Sequence, residues 1–381
     1  MKFRTLFFLV FPLLIIFSFL ITPLDSDWWI NNGKLFLDAL MQHDFKGTYL
    51  SSLAQMHPGL SIDWISALIQ FLLPASLQNL SVHLHNLVFS TFLVSCLFLG
   101  LKFLSKNFSK EALMLSAVYI ALLPNLILFP RSTYLDWVVA GALFLSTALW
   151  IDYLNYRRTS TIVWIGILFG IAILTKYSAA FLLPGFFIAA LIKGNPDKNL
   201  IKPLTIIVLV ASTIFIIFFP ALWVNPGYVL SNLFDKKEGI FNLSINTTTV
   251  VQVWEQLLRV SLKLNPMVLI GSVLTVICLF KRTTKKEMLL PAIVGLTYLI
   301  LLIVSLHIIF LRGSDPLNFV APIERYTFPV TMLFTVTFFE VIYQNEKLKK
   351  AYLLRNSLIL LLFLYEITIL AGFLISTYIL T

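Results

Sequence analysis

The chain has 381 residues, of which 59% are hydrophobic and only 12% are charged, and its mean hydropathy is +0.91. A water-soluble domain could not bury that much apolar surface, so the composition excludes a soluble globular protein and predicts an integral membrane protein. Backbone groups in lipid must pair within their own segment, and the ~10-residue alternating strands of a porin-like barrel are absent, so we predict an all-α fold.

Apolar runs of membrane-spanning length recur along the chain and predict about eleven transmembrane helices. The first follows a basic N-terminus like that of a signal peptide, but its apolar core is long and no small-residue cleavage site follows, so we predict that it is retained. No internal repeat and no soluble domain is predicted, so we expect residues 1–381 to form a single membrane domain. The predicted spans are residues 6–22, 84–104, 111–129, 132–153, 160–175, 177–193, 201–221, 265–281, 288–310, 322–343 and 356–378.

The basic residues divide unevenly between the two sides of these predicted helices. With the N-terminus in the cytoplasm, 18 of the 28 Lys and Arg residues fall in the connections on the cytoplasmic side, as the positive-inside rule expects. The net charge of +10 is therefore a sign of membrane topology and gives little support to nucleic-acid binding. We predict a multi-pass protein of the plasma membrane.

The opposite, outer face carries two long loops, residues 23–83 and 222–264, and most of the acidic residues. The first loop is rich in Trp, Leu and Phe, as in "DWISALIQFLLPASL". Segments of this kind lie in the plane of the membrane interface as short amphipathic helices. We therefore expect interfacial helices in the first loop.

Three carboxylates on the outer face are candidates for catalysis. Asp25 and Asp27 stand in "PLDSDWW", directly after the first span. A carboxylate near the interface costs little, so both could also be solvated boundary charges. Asp136 stands about one turn inside the predicted fourth span, where an ionisable group is a functional candidate by default. The alternative for Asp136 is a salt bridge that only orients helices.

Four cationic or ionisable side chains on the same face predict an anion site. A phosphate near the membrane surface suits such a set, because Arg contributes bidentate hydrogen bonds, Lys a point charge and His a donor. Each of them alone could instead be structural, or could only reach toward the interface. They are His57 in "QMHPG", Arg131 in "FPRSTYLDW", Lys176 in "LTKYSA" and Arg325, which follows Glu324 in "APIERYTF".

Three further side chains lie within predicted spans. Glu366 lies midway along the last span, where it would pair with a neighbouring helix or stay protonated, and we do not expect it to act in catalysis. Cys96 and Cys278 fall inside apolar runs and are expected to be core thiols.

Several blocks of the sequence resemble glycosyltransferase family 39, the protein O-mannosyltransferase group of the GT-C membrane glycosyltransferases. The resemblance is closest to its short bacterial members, which are similar to the aminoarabinose transferases. The Glu that follows the family's first-loop Asp is replaced here by Ser26, and Asp63 stands in "LSIDW" where the family has an uncharged residue. The matching blocks, in order, are Asp25, Trp29, Phe36, Ala39-Leu40, Thr48-Tyr49, His57-Pro58-Gly59, Trp64, "STYLDWVVAGALFL", "LTKYSA", "FPALWVNP" and "ERYTFP".

The resemblance implies a GT-C fold and a transferase that uses a sugar carried on a polyprenyl phosphate. The sugar would pass to a hydroxyl group of a protein or lipid acceptor on the extracytoplasmic face, with inversion. Asp25 would be the general base, Asp27 a reserve base, and Asp136 would position a substrate. A divalent cation is possible. The phosphate would be bound by His57, Arg131, Lys176 and Arg325, with supporting roles for Trp29, Tyr49, Glu324 and Tyr326.

Two other classes of protein stay open alongside the transferase. A transporter or lipid flippase would also be polytopic, but transporters usually place ionisable groups near the membrane midplane, whereas here they gather at one face. A membrane scaffold without catalysis would explain the spans but gives no reason for Asp136 or the turn at His57. We therefore expect an enzyme.

Overall fold

Helices form all the regular structure in the part of the chain that the computed structural model describes, which is residues 12, 26–50, 59–123, 134–194, 200–235, 266–281, 285–310, 320–346 and 350–378. No strand occurs among these residues, so the predicted all-α fold is confirmed for them. The helices are α1 (Ser26–Met41), α2 (Gly47–Leu50), α3 (Leu60–Leu72), α4 (Ser81–Leu104), α5 (Lys110–Leu122), α6 (Tyr134–Tyr156), α7 (Thr159–Thr175), α8 (Leu182–Lys193), α9 (Ile201–Ile217), α10 (Pro220–Val224), α11 (Pro226–Asp235), α12 (Pro266–Lys281), α13 (Lys286–Phe310), α14 (Val320–Gln344) and α15 (Tyr352–Tyr378), with 3₁₀ turns at Ala75–Leu80 and Tyr177–Phe181.

Four helical segments in the described residues are long and apolar enough to cross a membrane: Ser76–Leu104, Tyr134–Tyr156, Lys286–Ser305 and Tyr352–Ile369. Five shorter apolar helices accompany them: Leu60–Leu72, Thr159–Thr175, Tyr177–Lys193, Ile201–Ile217 and Pro266–Phe280. The protein is therefore an integral membrane protein, while the predicted number of eleven spans is not confirmed. The predicted first span, residues 6–22, lies outside the described residues.

Two predicted spans are too long at their C-terminal ends, and proline is the reason in both. Leu123 is extended (φ −57°, ψ 125°) before Pro124, so α5 ends at Leu122 rather than near residue 129. The predicted span 201–221 likewise ends at Ile217, and α10 begins at Pro220. A proline disfavours helical backbone in the residue before it and cannot donate a backbone hydrogen bond.

Helix α6 lies at the centre of the bundle. Its membrane-length segment is buried on every side, as expected of a helix that is apolar all round. α4 and α7 pack along it, and α9 packs against α7. A second group, formed by α8, α13, α14, α5 and α12, meets it through α8, α13 and α14. Small residues allow the close approach of α7 and α9, since a Cβ on Gly166 would lie only 2.6 Å from the Cβ of Val210.

Helix α15 lies at the periphery of the bundle and is mostly exposed, which suits a surface in contact with lipid. Its Glu366 is nevertheless fully buried and accepts a hydrogen bond from the Tyr119 hydroxyl of α5. The expectation that Glu366 pairs with a neighbouring helix is therefore confirmed. Cys96 and Cys278 are buried free thiols, also as expected.

Candidate functional site

The first-loop helices α1 and α3 meet at a fixed turn. Gly59, directly before α3, has the left-handed φ of 59°, a conformation that favours glycine. The Trp29 ring of α1 is completely buried and packs so closely on this turn that a Cβ on Gly59 would lie 2.3 Å from Cη2 of Trp29. The Trp29–Gly59 contact therefore fixes the direction in which α3 leaves the turn.

The same turn is hydrogen-bonded to the end of α7. The Gly59 N–H donates to the Thr175 carbonyl oxygen at 3.3 Å, and the hydroxyls of Ser61 and Thr175 are hydrogen-bonded at 2.5 Å. Lys176 follows Thr175 as the residue that ends α7. The first-loop helices and Lys176 therefore share one junction.

Lys176 forms a buried ion pair with Asp136 in the first turn of α6. Lys176 is 4% exposed and Asp136 3% exposed, so both charges are removed from water. Such a pair persists because losing either partner leaves an uncompensated buried charge, which costs ~3–5 kcal/mol. The structure thus brings together Lys176, a predicted phosphate ligand, and Asp136, a predicted substrate-positioning carboxylate. Their contact is a salt bridge, the alternative that was predicted for Asp136 from the sequence.

Tyr49 belongs to an aromatic wall beside this junction. It is buried on α2, with ring centroids 5.2 Å from Phe219 and 6.2 Å from Tyr228. Burial, together with the nearby Tyr228, raises the pKa of Tyr49. Tyr177 interacts electrostatically with Tyr49, so the wall reaches the residue next to Lys176.

The remaining predicted site residues are described in part or lie outside the described residues. Asp27 is exposed at the start of α1. Asp25, His57 and Arg131 lie outside the described residues. The predicted meeting of Asp25 with Arg325 therefore stays a prediction. On the helical backbone at the start of α14 lie Glu324, Arg325 and Tyr326, whose side chains are not described.

A group of buried polar side chains on α1, α3 and α4 was not predicted as a site. Asp63 is fully buried, and neither of its carboxylate oxygens has a hydrogen-bond partner within the described residues. Burial raises the pKa of Asp63 well above its usual value. Asn32 Nδ2, Ser66 Oγ and His85 Nε2 are also buried and have no partner there.

The sequence held one signal for this group. An acidic residue at position 63 interrupts the apolar run "LSIDWISAL". On a surface helix a carboxylate is normally exposed, whereas Asp63 is buried. Asn32, Ser66 and His85 are ordinary helix residues in the sequence, and only the packing of α1, α3 and α4 distinguishes them.

A metal site is not formed by side chains that the structure describes. No group of three or more His, Cys, Asp or Glu residues among them could hold a metal ion. The possible divalent cation stays a prediction.

Comparison with known proteins finds a family similarity in the central part of the chain. Residues 57–224, less than half of the chain, match the model of the dolichyl-phosphate-mannose-protein mannosyltransferase family, and this region contains both Asp136 and Lys176. No curated protein and no solved structure matches the chain significantly. The resemblance noted from the sequence is thus confirmed for this region: residues 57–224 are similar to the dolichyl-phosphate-mannose-protein mannosyltransferase family.

Proposed function

We propose that the protein moves a sugar from a polyprenyl-phosphate donor to a hydroxyl group of a protein or lipid acceptor at the extracytoplasmic face of the membrane. The observation that carries this proposal is the buried Lys176–Asp136 ion pair, which lies inside the family-matched region and is joined to the first-loop helices through Thr175. A buried cation that is paired with a carboxylate is suited to binding a phosphate group close to the membrane.

Lys176 is proposed to bind the donor phosphate, with His57, Arg131 and Arg325 as further ligands. An ammonium group has three donors, and the ion pair with Asp136 fixes the position of the Lys176 ammonium. Asp136 is then a positioning residue that acts through Lys176. Trp29, Tyr49, Glu324 and Tyr326 are proposed to support the walls of this site.

Asp25 is proposed as the general base. The acceptor oxygen attacks the anomeric carbon while Asp25 takes the proton of the acceptor hydroxyl. The bond from the anomeric carbon to the phosphate oxygen breaks, and its electron pair leaves with the phosphate, so no general acid is needed. The phosphate ligands stabilise the charge that collects on this leaving group. Attack from the opposite face inverts the anomeric centre, and Asp27 is the reserve base.

The proposed topology follows from the basic residues. About eleven spans with a cytoplasmic N-terminus put the first loop, Lys176 and the start of α14 on the outer side. The lipid tail of the donor would lie between helices, while its phosphate and sugar reach the outer site. α3 suits an interfacial position, because 13 helical residues extend only ~20 Å and cannot cross the ~30 Å hydrocarbon layer.

Transfer of a labelled sugar tests this function. Membranes that contain the protein are supplied with polyprenyl-phosphate hexoses labelled in the sugar, and label in protein, glycan and glycolipid products is measured. Wild type is expected to incorporate label, and Lys176→Gln to lose at least ~100-fold in rate because charge on the leaving phosphate is no longer stabilised. The control is Lys34→Gln, which changes an exposed lysine of α1.

Two results would contradict the proposal. Label that crosses the membrane without forming a product would identify a transporter or flippase. Undiminished transfer by Lys176→Gln would show that the buried ion pair is not part of the site.

A further inference from the structure

We propose that a subsite for the donor sugar lies between α1, α3 and α4 and is built from Asn32, Asp63, Ser66 and His85. The inference rests on the proposed function, because the sugar is the group that the donor phosphate would carry. The two sites adjoin through Gly59, which begins the turn into α3 and donates its N–H to Thr175, the residue before Lys176.

Two contacts between α1 and α3 bracket Asn32 and Asp63. Trp29 packs on Gly59 at one end, and at the other a Cβ on Gly33 would lie 2.2 Å from the Cβ of Ser66. Positions 59, 63 and 66 follow at helical spacing and share one face of α3, as 29, 32 and 33 share one face of α1. Asn32 and Asp63 therefore lie in the same interface, between the two contacts.

His85 approaches the interface from α4. Helix α4 contacts both α1 and α3, and Gln70 of α3 donates to the Ser81 hydroxyl of α4 at 2.8 Å, so Ser66 and His85 each lie one helical turn from that bond. His85 Nδ1 lies 2.7 Å from the Ser81 carbonyl oxygen, which can only accept, so Nδ1 carries the proton. In the neutral ring, Nε2 is then an acceptor, and it has no partner within the described residues.

The unpartnered atoms include both hydrogen-bond donors and hydrogen-bond acceptors, and a sugar hydroxyl can pair with either kind. Asn32 Nδ2 donates, His85 Nε2 accepts, the Ser66 hydroxyl does both, and Asp63 has two oxygens. Buried polar groups without partners cost free energy, and native proteins pair nearly all of them with protein, water or ligand. A sugar hydroxyl both donates and accepts, so one ring could satisfy several of these atoms.

Two other ligand classes suit the group less well. A second phosphate would meet the Asp63 carboxyl and the His85 lone pair, both of which disfavour an anion. A divalent cation prefers several oxygen ligands and more than one carboxylate in a buried site, whereas Asn32 offers its unpartnered Nδ2, which is a donor.

Binding to purified protein in lipid nanodiscs tests the subsite. Polyprenyl-phosphate hexoses and polyprenyl phosphate without sugar are titrated into the wild type, Asp63→Val and Ser66→Ala. We expect the wild type to bind at least one of the sugar lipids at least ~10-fold more tightly than the bare lipid, through hydrogen bonds made only to the sugar. Both variants should reduce this preference and leave the affinity for bare polyprenyl phosphate unchanged.

The stability of the ligand-free protein provides a second readout, which separates a binding role from a structural one. Polar groups that pair only with a ligand have no hydrogen bonds in the ligand-free protein, where their burial costs free energy. Ser66→Ala and Asp63→Val remove such groups and should therefore raise the melting temperature. A structural role predicts a lower melting temperature. The matched control is Ser116→Ala, because the Ser116 hydroxyl is also buried but donates to the Ala112 carbonyl oxygen at 2.7 Å. It should neither raise the melting temperature nor alter the sugar preference.

The outcomes distinguish this inference from the proposed function. A wild type that binds neither lipid contradicts the proposed function and the subsite with it. A wild type that binds both lipids equally, or variants that keep the full sugar preference, overturn the subsite alone. Stabilisation of the wild type by Mg²⁺ or Mn²⁺ that is lost in Asp63→Val would also overturn it, in favour of a cation site.

Discussion

The buried pair of Lys176 and Asp136 is the residue-scale feature on which the proposed site depends. The two residues are 40 positions apart, on the end of α7 and the start of α6, and both are almost fully buried. Each was predicted from the sequence as a separate candidate, Asp136 as an ionisable group inside a predicted span and Lys176 as a cation in the outer connection between two spans. Their contact could not be predicted, since it depends on how α6 packs against α7.

Breaking this pair should destabilise the protein more than removing it entirely. We expect Lys176→Met to lower the free energy of unfolding by about 3–5 kcal/mol, because it leaves the Asp136 charge uncompensated, whereas Lys176→Met with Asp136→Leu recovers most of the loss. Denaturant unfolding of the purified protein measures both. Equal losses in the single and the double variant would show that the two charges are not coupled.

Asp63 predicts a specific dependence of stability on pH. Burial raises its pKa in the folded state, so between the unfolded pKa, about 4, and the folded pKa the folded protein binds more protons than the unfolded protein. Wild-type stability should therefore fall as the pH rises through this window, and Asp63→Asn should lack this fall. Melting temperatures of both proteins should diverge as the pH rises from about 4, in favour of Asp63→Asn, and level off above the folded pKa. Parallel curves would contradict the burial of an ionisable Asp63.

At the scale of elements, the attachment of α3 to α1 and α7 holds the site together. The turn at Gly59 is packed by Trp29 on one side and hydrogen-bonded to Thr175 on the other. A side chain at this position would meet both a left-handed backbone and the Trp29 ring, so the turn is sensitive to one added methyl group.

We expect Gly59→Ala to destabilise the protein by more than its backbone strain alone. An alanine in the left-handed region costs ~1–2 kcal/mol, and overpacking against Trp29 adds ~1–3 kcal/mol. The control is Gly194→Ala, at φ 75° with nothing within 4 Å of an added Cβ, which carries only the strain. Unfolding free energies of the two variants are compared, and equal losses would show that Trp29 does not constrain the turn. Gly59→Ala should also slow sugar transfer, because Lys176 shares the junction.

The elements that could be predicted are those set by local sequence. Long apolar runs gave α4, α6, α13 and α15 to within a few residues, because a span needs little beyond length and hydropathy. The predicted ends near prolines were wrong, because the helices end earlier, at Ile217 and Leu122. The burial of Asn32 and Asp63 could not be read from the first loop, since it arises from the packing of α1 on α3.

At the scale of the whole molecule, an all-α bundle carries its proposed chemistry at one end. The candidates described there, Trp29, Tyr49, Asp136 and Lys176, come from segments far apart in the chain, and the junction at Thr175 links Lys176 to the turn that Trp29 packs on. One outer site of this kind would accept a lipid-linked sugar and a hydroxyl acceptor together. Its general base is proposed to be Asp25, at the beginning of the first loop.

The rate of sugar transfer by Asp25→Asn is the most direct measurement of this account. Labelled polyprenyl-phosphate hexose is supplied to purified wild type, to Asp25→Asn and to a control, Asp38→Asn, which changes an exposed carboxylate of α1. We predict that Asp25→Asn lowers kcat by at least ~100-fold because the proposed general base for the acceptor proton is lost, while the control transfers at the wild-type rate. Retention of most of the transfer activity by Asp25→Asn, at normal expression, would contradict the account.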